Sequence, residues 1–184
     1  MGLDIVEFVI SIEEALQVPI PDKDAELIET PGNLIDYLMA RLPKSTLPAC
    51  CLSQRAFNRL RQILSRRLHI SRKNLRLDTD LLAFLPETNR KKIWRSIGDE
   101  IGVAKYWPNI ATWLDWFGLS RRPIISNLTS ILVARIPRSL MLKEEYWSRP
   151  QVAEVVHALM WENFGVRRED YTDNSRFVDD LGIS

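Results

Sequence analysis

Apolar positions recur along this chain at intervals of three and four, the spacing of one helical face. Phe57, Leu60, Ile63, Leu64 and Leu68 predict a helix over 54–69, and Ile93, Trp94, Ile97 and Ile101 predict another over 87–101. A third is expected over 126–136. Val152, Val155, Val156, Leu159 and Met160 supply the stripe of a fourth over 150–164, where Pro150 suits a first helical turn. Near the start, Leu3, Val6, Phe8, Val9, Ile12 and Leu16 read as the buried side of a helix. Thr30 is the expected N-cap of the next, just before Pro31. Segment 70–86 reads as a loop anchored by Leu75, Leu77 and Leu81. Trp107, Trp113, Trp116 and Phe117 form an aromatic insertion, expected to turn helical after Pro108. No useful length of strand-type alternation interrupts this pattern, so the predicted class is all-α.

Two stretches repeat. Asn33–Ser45 matches Asn127–Ser139 at Asn, Leu, Leu, Ala, Arg, Pro and Ser. Separately, Leu68–Leu85 aligns with Phe164–Leu181: Ile70 meets Val166, Leu75 meets Tyr171, Thr79 meets Ser175, Leu81 meets Phe177 and Leu85 meets Leu181. Two matches at nearly one offset point to a duplication. The middle segment, 52–139, then reads as a complete module. Segments 148–184 and 1–46 read as the front and back halves of a second module, stored in reverse order.

Charge follows the same division. The net charge of +1 over 184 residues combines −6 for residues 1–51, +11 for 52–139 and −4 for 140–184. Such asymmetry indicates different partners or mutual attraction. Cys50 and Cys51 are adjacent and suit a reduced cytoplasmic setting, while His69 and His157 lack metal-ligand spacing. No run of apolar residues is long enough for a membrane span, and the acidic start lacks the basic region of a secretory signal. A glycine-rich phosphate loop, a serine-nucleophile motif and a metal cluster are all missing, so no enzymatic activity is expected.

Phe177, Asp180, Leu181 and Gly182, followed by Leu3, Val6, Glu7, Glu13 and Glu14, then Ile20-Pro21-Asp22 and Ala25-Glu26, resemble the acyl carrier protein family in register. The resemblance spans about 80 residues of the split module. It implies two carrier-like four-helix bundles, the outer one circularly permuted around the middle one. It also implies 4'-phosphopantetheine as the candidate cofactor, held by a serine at the start of the family's second helix. Here that position, counted back from Glu7, falls on Gly2, which has no hydroxyl; counted forward from Gly182, it falls one past Ser184, which itself takes the family's preceding aspartate place. In the middle module the position falls on Glu87, beside Thr88. Ser184 is the single candidate for attachment. Asp4, Glu7, Glu13 and Glu14 are candidates for docking basic patches on partners, and Arg90, Lys91, Lys92 and Arg95 for docking acidic ones.

The leading expectation is a non-catalytic, carrier-like protein that docks acyl-carrier-dependent enzymes of fatty-acid or polyketide-type synthesis, or another carrier module. One alternative is a genuine phosphopantetheine acyl carrier seen as a truncated or rearranged chain. The other is a basic adaptor for nucleic acid or acidic surfaces, which no helix-turn-helix spacing supports. Closure of the two halves within one chain is expected over a swapped homodimer, because tethered halves see each other at about millimolar effective concentration.

Overall fold

The computed structural model describes residues 2–45, 50–110 and 123–183. In chain order the helices are α1 (Leu3–Leu16), α2 (Asp22–Ala25), α3 (Pro31–Arg41), α4 (Leu52–Leu68), α5 (Arg90–Ile101), α6 (Ile125–Arg135), α7 (Pro137–Leu140) and α8 (Arg149–Phe164), joined by short 3-10 turns. Among the described residues only isolated bridges occur, Lys44 with Trp147 and Asp80 with Ile124. The protein is all-α. It divides into two compact units, one of residues 1–52 with 133–184, the other of residues 53–132.

The first unit brings the two ends of the chain together. Helix α8 packs against both α1 and α3. Val152, Val155, Val156, Leu159 and Met160 have no exposed surface, and each such burial contributes about 1.5–3 kcal/mol. On the helices packed against α8, Phe8 and Ile12 of α1 and Leu34, Ile35 and Leu38 of α3 are also buried. Helix α8 starts with a capping box: Ser148 Oγ accepts from the Gln151 amide and Gln151 Oε1 accepts from the Ser148 amide at 3.1 Å. It stops at Gly165, whose φ of 71° is left-handed. Thr30 caps α3 by accepting from the Asn33 amide at 3.1 Å.

Residues 133–139, assigned by the sequence repeat to the middle segment, pack in this first unit. The cause is Arg135. Its Nε donates to both oxygens of Glu162 on α8, at 3.1 and 3.0 Å, and its Nη1 to Ser11 Oγ on α1 at 3.4 Å. The pair is largely shielded from water, with side-chain exposures of 12% and 17%.

In the second unit, α4 buries Leu60, Ile63 and Leu64, and α5 buries Trp94, Ile97 and Ile101. Helix α5 begins at Arg90, later than the apolar pattern predicts, because Asn89 adopts a left-handed φ of 63° and sets the start. Trp107 lies against Trp94 with ring centroids 4.7 Å apart. Gly98 permits that approach, since a Cβ there would sit 2.5 Å from Trp107 Cγ. Trp113, Trp116 and Phe117 of the aromatic insertion lie outside the described residues.

The two units use the same backbone contacts at the positions that the sequence repeat equates. In the first, the Gly32 amide donates to the Asp173 carbonyl at 2.7 Å and the Phe177 amide to the Glu29 carbonyl at 2.9 Å. In the second, the Ser126 amide donates to the Leu77 carbonyl at 2.9 Å and the Leu81 amide to the Pro123 carbonyl at 3.1 Å. The turns before them also agree. Ser175 Oγ accepts from the Thr172 amide at 3.0 Å, and Thr79 Oγ1 accepts from the Arg76 amide at 2.8 Å. A further bond in the second unit, from the Ile125 amide to the Thr79 carbonyl at 3.1 Å, falls in the first unit on Pro31, which has no N–H to give.

Candidate functional site

The site is built where the tail of the chain meets α1. In the tail, Asp180 Oδ2 accepts from the Arg176 amide at 2.7 Å, and the Ile183 amide returns to the Phe177 carbonyl at 2.8 Å through Gly182, whose φ is 65°. This turn needs a short carboxylate and a residue tolerant of left-handed backbone, which accounts physically for Asp180 and Gly182. It drives Phe177 and Ile183 inward, where both are buried. Phe8 of α1 lies with its ring 5.1 Å from Phe164 and 5.9 Å from Phe177.

Beside these rings lies an apolar cavity of about 270 Å³, lined by Ile5, Phe8, Val9, Ile28, Phe177 and Ile183 among others. Apolar cavities of about 150 Å³ already admit benzene, so this one is large enough for a short aliphatic chain. Arg176 stands at its edge, paired with Glu29 at 3.2 Å and with Asp179 at 3.1 Å.

Gly2 is the N-cap residue of α1, extended, with no side-chain cap. From there α1 shows a mixed acidic and aliphatic face to solvent: Asp4, Glu7 and Glu14 beside Leu3, Val6 and Ile10. Leu3 is 74% exposed and Ile10 is 48% exposed. The expectation that Leu3 and Val6 are buried is therefore corrected. At 100° per residue, a helix that buries Phe8, Ile12 and Leu16 turns Leu3, Val6 and Ile10 away from the core. Glu13 has an internal role, accepting from the Ile20 amide at 2.6 Å to close the loop after α1.

Of the residues singled out from sequence, the four carboxylates share α1 in the first unit. Arg90, Lys91, Lys92 and Arg95 share α5 in the second. Arg90 is half-buried and donates to the Leu85 carbonyl at 3.4 Å, while Lys91, Lys92 and Arg95 are exposed. Ser184 lies outside the described residues. The sequence reading missed the cavity, because its walls come from both ends of the chain and carry no motif as a set.

A polar cluster near the crossing of the ends is also new. Asp173 takes Arg168 at 2.9 Å and Arg149 at 3.8 Å, and faces His157 Nε2 at 3.5 Å. His157 Nδ1 meets the Tyr171 hydroxyl at 2.7 Å. Burial, with Arg168 and Arg149 nearby and against the opposing pull of Asp173, lowers the His157 pKa to about 4. Burial likewise pushes the Tyr171 phenol up. Both groups are thus held neutral, as members of the packing that fastens the tail rather than as an acid–base pair. Among the described residues no group of side chains could hold a metal ion, and no helix is long and apolar enough to cross a membrane.

No family model matches the chain. No solved structure matches it either. Curated proteins do match in part, among them two acyl carrier proteins. One is an acyl carrier protein of Syntrophobacter fumaroxidans, 56% identical over 37 residues, covering 20% of this chain and 46% of that protein. The other is an acyl carrier protein of Clostridium perfringens, 43% identical over 43 residues, covering 23% of this chain and 57% of that protein. The chain spans about half the length of these relatives. In that portion, this protein is similar in sequence to acyl carrier proteins.

Proposed function

We propose that the first unit is a permuted carrier-like module that docks partner proteins of acyl metabolism and bears no covalent arm. The observation that carries this reading is the start of α1. A hydroxyl-free Gly2 is followed at once by an exposed face of Asp4, Glu7, Leu3, Val6 and Ile10, beside an apolar cavity. Carboxylates on an exposed helix steer a basic partner surface and raise the association rate, while the aliphatic side chains between them give contact area. The cavity takes the acyl tail of a ligand held by such a partner. Glycine at the helix start leaves no oxygen to form a phosphodiester.

Duplication followed by permutation accounts for the arrangement. The middle segment holds its parts in the order α4, turn, α5, α6. The first unit assembles the same parts as α8, turn, α1, α3, with matching hydrogen bonds. The partial similarity to acyl carrier proteins supports the same reading.

Incubation with coenzyme A and a broad-specificity phosphopantetheinyl transferase tests it. The intact mass should stay unchanged. A gain of one phosphopantetheine, mapped to Ser184, would make the chain a genuine carrier instead.

A further inference from the structure

Helix α5 carries its charges at the unfavourable end. Arg90, Lys91 and Lys92 fill its first turn, and no acidic residue lies there. A helix N-terminus is itself partly positive, so cations in that turn work against the helix. Helix α1, which follows the equivalent turn of the first unit, has Asp4, Glu7, Glu13 and Glu14 and no cation at all. The duplicated plan has thus been given opposite charge at one helix. Helix stability does not account for that choice on α5.

The cations are available. Arg66 and Arg67 of α4 are both bound to Glu100, yet Lys91, Lys92 and Arg95 are exposed and have no ion-pair partner among the described residues. Lys91 and Arg95 stand one turn apart along a groove of about 520 Å³ that also touches Trp94, Trp107 and Pro108. Its floor is firm. The Trp94 Nε1–H donates to the Pro108 carbonyl at 2.6 Å, and Trp107 rests on Gly98.

We propose that this α5 face is a docking surface for an acidic amphipathic helix of another protein. Carboxylates one turn apart on that helix pair with Lys91 and Arg95, and an aliphatic side chain between them enters the groove. The chemistry required is the one α1 displays. Nucleic acid fits less well, because the positive patch ends within two turns: Asp99 follows Arg95 by one turn on the same groove, where a continuing phosphate backbone would meet a carboxylate.

The test is fluorescence anisotropy with the intact chain and a labelled peptide of residues 2–17. Binding should weaken about tenfold when Lys91, Lys92 and Arg95 are all changed to Glu, and stay within about twofold for Lys73→Glu, an exposed cation elsewhere on the unit. A peptide with its four carboxylates changed to lysine should prefer the triple variant over the unchanged protein, which separates lost docking from lost folding. Absence of peptide binding, equal binding by the triple variant, or stronger binding of a short DNA duplex than of the peptide would overturn the proposal.

Discussion

The Gly32 amide donates to the Asp173 carbonyl at 2.7 Å, joining residues from opposite ends of the chain. The contact leaves no room for a side chain. A Cβ on Gly32 would sit 2.8 Å from the Asp173 oxygen, against backbone that cannot swing aside. Gly32→Ala is therefore expected to destabilise the first unit by about 1–3 kcal/mol, read as a lower urea midpoint.

The Arg135–Glu162 pair gives a second expectation. Removing one member of a buried pair costs about 3–5 kcal/mol, and this pair retains some exposure, so Glu162→Ala should cost about 2–4 kcal/mol. Glu162→Gln, which still accepts a hydrogen bond, should cost less. Equal midpoints for Glu162→Ala and the unchanged protein in urea unfolding would show that the pair contributes nothing.

His157 makes stability depend on acidity. Its folded pKa of about 4 lies below its ordinary value of 6.5, so between the two the unfolded chain binds more protons. Stability from this group is complete above about pH 6.5, falls as pH drops toward 4, and changes no further below that. Thermal midpoints measured across this range should fall with acid, and His157→Gln should flatten that part of the curve. An NMR titration of His157 centred near its ordinary value would contradict the assignment.

Docking through α1 predicts a charge effect without loss of fold. Asp4 and Glu7 are exposed, so changing both to lysine should leave the circular dichroism spectrum intact. Binding to an acyl-carrier-dependent enzyme should weaken by about tenfold and lose most of its salt dependence. Unaltered affinity would remove α1 from the interface.

Much of this fold is legible in the sequence, for reasons that are local. The stripe on α8 is buried as its spacing predicts, and the Thr30 and Pro150 signals mark real helix starts. Helix α1 reads less well, because its apolar residues cover most of the circumference and periodicity alone cannot say which side meets the core. Phe8 and Ile12 decide it only through Phe164, Phe177 and α8, which come from the far end of the chain. The cavity was unreadable for the same reason. Glu13 was misleading in another way: its carboxylate looks like one more surface charge until the chain reverses at Ile20 and brings an amide to it. Local pattern gives elements, while sites formed between the two ends of the chain require the three-dimensional closure.

The most direct measurement is the intact mass of the unchanged protein and of Gly2→Ser, each after treatment with coenzyme A and a phosphopantetheinyl transferase. The variant places a hydroxyl at the start of α1, on a residue that already serves as the helix N-cap, so it supplies an attachment oxygen without disrupting the helix. The account predicts that the unchanged protein gains no mass and that Gly2→Ser gains one phosphopantetheine. An arm on the unchanged protein would contradict it.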